Sequence, residues 1–222
     1  MPIGTLLHGA LYNSFTKRIF DIGIAVLLLI FFSPIMLLVA CAIKLSSPGP
    51  IFADTPERVG TNGKKFRMYK FRSMIRHAHR ILREDPKFKK LYEEYKKSSY
   101  KLHDDPRITS IGRFIRKHSL DEMPQLINVL KGEMSIVGPR AYYPDEIKEQ
   151  LKKHPEAHQF LVEVLQVRPG ITGYWQVSGR SEVHFRNRII MDASYVKKIS
   201  LWYDIQIMVL TPWTMISGRG AV

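Results

Sequence analysis

Cysteine is nearly absent from this chain. The single one, Cys41, excludes an intramolecular disulfide framework and, inside an apolar run, reads as a small packing residue. Acidic residues are scarce: 20 Asp and Glu stand against 34 Lys and Arg. A field of that sign attracts polyanions, whether nucleic acid, anionic lipid head groups or phosphorylated small molecules. No nucleic-acid-binding motif accompanies the charge, so nucleic acid is not expected as a partner. The chain has no internal repeat and no low-complexity tract. His77 and His79, two residues apart, fall on different helix faces and make a poor metal pair. What is plentiful is apolar material, 45% of 222 residues, which excludes a disordered chain and suits one compact domain with an appended segment.

Charge is also missing from one particular stretch. Ile22 to Ile43 carries no charged residue, with Asp21 before it and Lys44 after. About 20 apolar residues cross a bilayer core, so this is a candidate membrane helix. The run is too long for the core of a cleaved signal, and Ser46-Ser47-Pro48-Gly49-Pro50 is a poor cleavage site. Pro34, after Ser33, removes a backbone bond in the middle of the run and kinks or breaks the helix. The Ser33 hydroxyl can satisfy a freed carbonyl. Each half is about a dozen residues, roughly 18 Å of helix, too short to cross alone. A bent spanning helix and a re-entrant helix both fit. Basic residues flank both ends (Lys17 and Arg18, then Lys44), which favours the re-entrant form because positive charge prefers one membrane face.

Beyond the breaker cluster, Gly60-Thr61-Asn62-Gly63 suggests a turn, and Lys65 to Phe71 alternates charged and apolar residues like a half-buried strand. Ser73 to Lys101 reads as two polar helices divided at Pro86. A turn-rich stretch covers Asp104 to Gly112, and further helices are expected near 122–130, 142–166 with an interruption at His154-Pro155, and 185–199. The segment Leu201 to Ile216 is apolar but holds Asp204, Trp202, Tyr203 and Trp213, a composition suited to the membrane–water interface.

The sharpest local pattern is Arg116-Lys117-His118-Ser119-Leu120-Asp121-Glu122-Met123-Pro124-Gln125. Ser119-x-x-Glu122 matches a capping box. Alternatively Asp121 is the cap, which places Pro124 within the first turn, where it is tolerated. Either way Asp121 is expected at a helix N-terminus, ionised at neutral pH and beside a natural phosphate site. An ionised carboxylate beside phosphate is the nucleophile of covalent phosphoryl chemistry, so capping and catalysis both remain open. Arg140 and Arg168 each sit in Gly/Pro-rich loops and, with Lys70 and Arg72, could form a phosphate-binding basin.

These blocks, in order, resemble the bacterial sugar transferase family, the monotopic polyprenyl-phosphate phosphoglycosyl transferases. The resemblance runs from Lys17 to the C-terminus through Ser33-Pro34, Pro48-Gly49-Pro50, Arg58-Val59-Gly60, Lys70-Phe71-Arg72, Asp105-Pro106-Arg107, Asp121-Glu122, Gly138-Pro139-Arg140, Arg168-Pro169-Gly170, Gly179-Arg180 and Asp192. It implies an α+β, predominantly helical fold: an N-terminal tail (1–16), a re-entrant membrane helix (17–46), and a small catalytic domain (47–222) on the cytoplasmic face of a bacterial inner membrane, with short β segments and interfacial amphipathic helices.

The resemblance also implies a two-step reaction. Asp121 attacks the β-phosphorus of a UDP-sugar and releases UMP, and polyprenyl phosphate then takes the sugar phosphate to begin a surface glycan. Glu122 assists, and magnesium offsets phosphate charge, with Asp121 and Asp192 as candidate ligands. Arg116 and Arg140 contact phosphate; Lys70, Arg72, Arg168 and Arg180 are further site residues. Membrane lipids are expected partners, and an oligomer is compatible. Departures from the family pattern, His118, Ala141 and Asp54-Thr55-Pro56, leave the dyad untouched and the sugar open. A nucleotide-sugar phosphohydrolase and a non-enzymatic basic membrane adaptor are the competing expectations.

Overall fold

A computed structural model describes residues 12–97, 102, 105–179 and 183–216 of the chain. The apolar run forms one 30-residue helix, α1 (Lys17–Ser46), entered through a short π-helical turn at Tyr12–Thr16. It is long and apolar enough to cross a membrane, and only 11% of its most apolar window is buried. Helical geometry continues through Pro34. Proline lacks the N–H that would bond the carbonyl four residues back, that of Ile30, and the Ser33 hydroxyl donates to that carbonyl at 2.9 Å.

Burial along α1 is uneven. Its first half packs one face, Lys17, Asp21 and Ala25, into the main body; its last part buries Val39 and Ile43. These fours-spaced positions are the ones a helix presents on one side. Ala25, with Ile24, Leu28 and Leu29, joins a core of Leu126, Val129, Ile136 and Ile207. Val39 and Ile43, with Met36 and Ala40, pack on Phe71 and Ile115. Between them Ile30, Phe31, Leu37 and Leu38 are exposed.

A hairpin follows: β1 (Glu57–Val59) and β2 (Lys65–Arg67), paired antiparallel in register Arg58 to Phe66. Its turn carries Asn62 at φ 54°, the left-handed geometry that Asn tolerates. The expected alternation holds at Phe66, buried between exposed Lys65 and Arg67. The strand ends sooner than expected, however; Phe71 only bridges to Phe52. The polar stretch divides at Pro86 as expected, into α2 (Ala78–Glu84) and α3 (Lys89–Lys97). The turn-rich stretch ends earlier than expected, because Thr109 caps α4 (Ser110–Lys117) by accepting from the Gly112 N–H at 3.0 Å.

After α5 (Gln125–Lys131), β3 (Ser135–Val137) pairs in parallel with β4 (Gly170–Thr172) across α6 (Pro144–Lys153) and α7 (His158–Val164). The strands lie so close to the Gly138 loop that a Cβ on Gly170 would sit 2.1 Å from the Gly138 nitrogen. Then come α8 (Tyr174–Ser178), α9 (Phe185–Lys198) and α10 (Leu201–Ile216). Among the described residues the arrangement is mainly helical with two small two-stranded sheets.

A buried polar knot joins the foot of α1 to α10. Asp204 accepts from Lys17 at 2.5 Å, Tyr195 at 2.6 Å and Tyr12 at 2.8 Å. Asp21 accepts from the Ser135 hydroxyl at 2.9 Å and the Ile136 N–H at 3.0 Å. On α10 Asp204 and Ile207 face inward while Trp202, Val209 and Trp213 face out, so the segment is amphipathic.

Candidate active site

The dyad's backbone follows from two local constraints. Pro124 cannot donate within a helix, so α5 begins after it, at Gln125. Ser119 adopts a left-handed conformation, φ 55°, and turns the chain out of α4 into a 3-10 turn, Leu120–Glu122. The capping box therefore does not form: Ser119 makes no side-chain cap, and Asp121 lies a turn ahead of α5 instead of capping it. The Asp121 carbonyl is pinned by the Phe71 N–H at 2.9 Å, which holds the dyad against the hairpin strand's extension.

Asp121 and Glu122 line a cleft of about 400 Å³, with Lys70, Arg72, Arg116 and Arg140 on the same wall set. Asp121 is 7% exposed. Burial, followed by repulsion from Glu122, pushes its pKa up to about 6 against the pull of Lys70 and Arg116. Desolvation outweighs the helix dipole, which Asp121 does not cap, so the value rises, yet not far enough to undo the expected ionisation at neutral pH. Asp121 is still mostly ionised at pH 7. Glu122 behaves oppositely. Burial raises its pKa, but the Lys70 ammonium, bonded to it at 2.6 Å, and Arg140 and Arg58 more than offset this and hold it below the usual value. Two adjacent carboxylates are thereby separated: one firmly charged and tethered, one with a proton affinity closer to neutral.

The basic residues divide by engagement. Arg116, at the end of α4, lines the cleft without a protein partner among the described residues. Arg140 lies 5.2 Å from the Trp175 ring, with its buried Nε unpaired. Arg72 is committed elsewhere as well as lining the cleft: it donates to the Ser47 and Pro48 carbonyls, both at 2.8 Å, strapping the end of α1 to the site. Arg168 does not line the cleft; its Nε donates to the Gly132 carbonyl at 2.9 Å, closing α5. Arg180 lies outside the described residues.

Asp192 is not brought to Asp121. Fully buried, it accepts from the Tyr142 hydroxyl at 2.8 Å and the Arg140 N–H at 3.2 Å, and burial lifts its pKa to about 7. It does not line the cleft, and no group of three metal-type ligands exists among the described residues. His118 is exposed beside Phe114 and lines nothing, whereas Ala141 does line the cleft.

Several lining residues were not singled out from the sequence. The Arg58 guanidinium covers the Tyr143 ring at 3.3 Å and donates to the Ala141 carbonyl at 3.0 Å. His79 is held neutral, its pKa lowered to about 4 by burial and then by Arg107 and Arg58. Trp175, Gln125 and Gln176 complete another corner. Arg58 lies in one of the motif blocks that carry the resemblance, the available signal for it; His79 reads in the sequence only as half of a poor metal pair with His77.

Comparison with known proteins gives the family. Residues 12–218 match the family model described as bacterial sugar transferase. The chain is 44% identical over 207 residues to the exopolysaccharide production protein ExoY of Sinorhizobium fredii, covering 93% of this chain and 88% of that one. It is 42% identical to the undecaprenyl-phosphate galactose phosphotransferase of Salmonella typhimurium, covering 94% of this chain and 42% of that protein. It is 40% identical to the UDP-glucose:undecaprenyl-phosphate glucose-1-phosphate transferase of Escherichia coli, covering 90% of this chain and 40% of that protein. The chain thus spans most of the ExoY protein and about two-fifths of the two larger relatives.

Proposed function

This chain belongs to the bacterial sugar transferase family, and from that premise we propose that it moves a sugar 1-phosphate from a UDP-sugar to undecaprenyl phosphate, releasing UMP. The observation that carries the reading is the cleft itself: an ionisable carboxylate beside a tethered one, faced by cations that the fold leaves available.

In the first step an Asp121 oxygen attacks the β-phosphorus, the bond from that phosphorus to the bridging oxygen breaks, and UMP leaves with the electron pair. In the second, an oxygen of the lipid phosphate attacks the same phosphorus, and the Asp121 carboxylate is released unchanged. Arg116 and Arg140 stabilise the charge on the phosphoryl oxygens, the term that dominates phosphoryl transfer. Lys70 keeps Glu122 anionic and fixed, and Glu122 in turn orients Asp121, which carries the sugar phosphate between the two steps as an acyl phosphate. Magnesium is commonly held by one or two carboxylates together with substrate phosphates, and the Asp121–Glu122 pair fits that donor set. When bound it would neutralise diphosphate charge.

The membrane reading is re-entrant insertion, with the catalytic domain on the cytoplasmic face. It is supported by the two ends of α1 packing on one body while residues near Ser33-Pro34 stay exposed. Straight, 30 residues would reach about 45 Å, beyond the roughly 30 Å of a bilayer core. Re-entrant insertion would require α1, continuous through Pro34 here, to bend at that proline in the membrane, so that both ends reach the head-group level where a lipid phosphate and a soluble nucleotide meet. The outward Trp202 and Trp213 of α10 suit the same level.

Incubating the full chain in detergent with UDP-sugars, magnesium and undecaprenyl phosphate is expected to release UMP in step with lipid-linked sugar. UMP release absent with every UDP-sugar tried, or sugar phosphate released to water without lipid, would overturn the reading.

A further inference from the structure

Resting on that transferase reading, we infer that Gln125, Trp175 and Gln176 form the subsite that reads the sugar. Each carries a buried polar atom without a partner among the described residues: Gln125 Nε2, Trp175 Nε1 and Gln176 Oε1. Gln125 is 1% exposed and Trp175 4%, yet all three line the cleft. Buried polar groups are nearly always paired, so orphans facing a cleft mark a ligand's place.

Their chemistry is distinct from the rest of the wall. Two are donors and one an acceptor, and none is charged. Diphosphate oxygens call for cations, which Arg116, Arg140 and Lys70 supply. A hexose ring instead offers neutral hydroxyls that both give and accept, which amides and an indole N–H match. The atoms are also fixed in place. The Gln176 amide nitrogen donates to the Ile171 carbonyl at 2.8 Å, which leaves its oxygen as the free acceptor. The Trp175 ring is approached by two guanidinium groups, Arg140 at 5.2 Å and Arg188 at 5.1 Å.

Uracil could use similar hydrogen bonds, and position decides against it. Gln125 opens α5 four residues beyond Asp121, about 6 Å along a helical path. Trp175 adjoins Arg140, whose charge reaches Glu122. The corner therefore borders the dyad through Gln125 and Arg140. The sugar is joined directly to the phosphorus that Asp121 attacks, while uracil is separated from it by a second phosphate and a ribose.

The test compares kcat/KM for UDP-glucose and UDP-galactose, with UMP as inhibitor, in Trp175→Phe, Gln176→Leu and Gln125→Leu. Trp175→Phe keeps a ring in the packing and removes only the indole N–H, so it reads the hydrogen bond without emptying the site. The expected result is a change of about fivefold or more in the ratio between the two sugars in at least one variant, with UMP inhibition unchanged. Equal losses on both sugars with weaker UMP inhibition would make the corner a nucleotide subsite and overturn the inference. An unchanged ratio in all three variants would overturn it too. A wild-type chain that releases no UMP from any UDP-sugar overturns the underlying transferase reading instead, which separates the two failures.

Discussion

Two places in this molecule bury carboxylates beside a lysine, and they are built to opposite ends. At the foot of α1, Asp204 accepts from Lys17, Tyr195 and Tyr12, and its surroundings are closed. In the cleft, Lys70 holds only Glu122; Asp121 is desolvated, raised in pKa and open on the side that faces substrate. Charge that is fully partnered locks elements together. Charge that is buried but incompletely partnered is a cost in the resting protein, retained where chemistry uses it. The difference is a way to tell a structural ion cluster from a working one.

The comparison breaks most visibly on activity. Asp121→Asn should lower lipid-linked product formation by at least ~10³-fold, the scale on which removal of an attacking group is felt. Full turnover by this variant would remove Asp121 as nucleophile. Next in size is Asp204→Ala, which leaves Lys17 buried without its main partner and should cost about 3–5 kcal/mol in denaturant unfolding. Activity per folded molecule should survive it.

The same assay sharpens the contrast, because Asp121→Asn should stabilise. Its pKa in the fold, about 6, is raised above its ordinary 3.8, so the folded state holds a proton more tightly than the unfolded one. Ionisation at pH 7 therefore opposes folding, and the penalty is relieved as pH falls through about 6. Asn removes it at all pH values, a gain of roughly 1–3 kcal/mol at pH 7 that shrinks towards pH 5. A variant less stable than wild type at pH 7 would contradict this. Turnover carries the opposite sign: kcat/KM should fall below about pH 6 as the nucleophile protonates, and Lys70→Met should move that limb upward by removing a positive neighbour. The smallest effect expected is that of His118→Thr, under about twofold in rate, since this exposed side chain rests on Phe114 outside the cleft.

The line between what was legible in the sequence and what was not follows the range of the interactions. Hydrophobic runs, breaker clusters and Pro positions are local, and they marked the extent of α1, the division at Pro86 and the amphipathic α10; the break expected at Ser33-Pro34 is not seen, since helical geometry runs through it. Ser33 was read as the rescuer of a freed carbonyl and donates to Ile30. The capping box failed because Ser119 is left-handed, a backbone state fixed by the turn between α4 and the dyad and not by its own side-chain chemistry. Arg168 and Asp192 look like site residues because arginine and aspartate in Gly/Pro-rich or helical motifs do so generally. Only tertiary packing shows that one closes α5 and the other is sealed under Tyr142. Trp175 was missed, and Arg58 and His79 were not placed at the site, for the same reason: they reach the cleft from separate hairpin and helix elements across long stretches of chain.

The most direct measurement follows the phosphorus. Full-length protein mixed with a UDP-sugar labelled at the β-phosphate, without lipid acceptor, should carry label on the peptide containing Asp121. That label should be lost on adding undecaprenyl phosphate and never appear in Asp121→Asn. Turnover by the wild type with no labelled protein, or label on any other residue, would contradict the account.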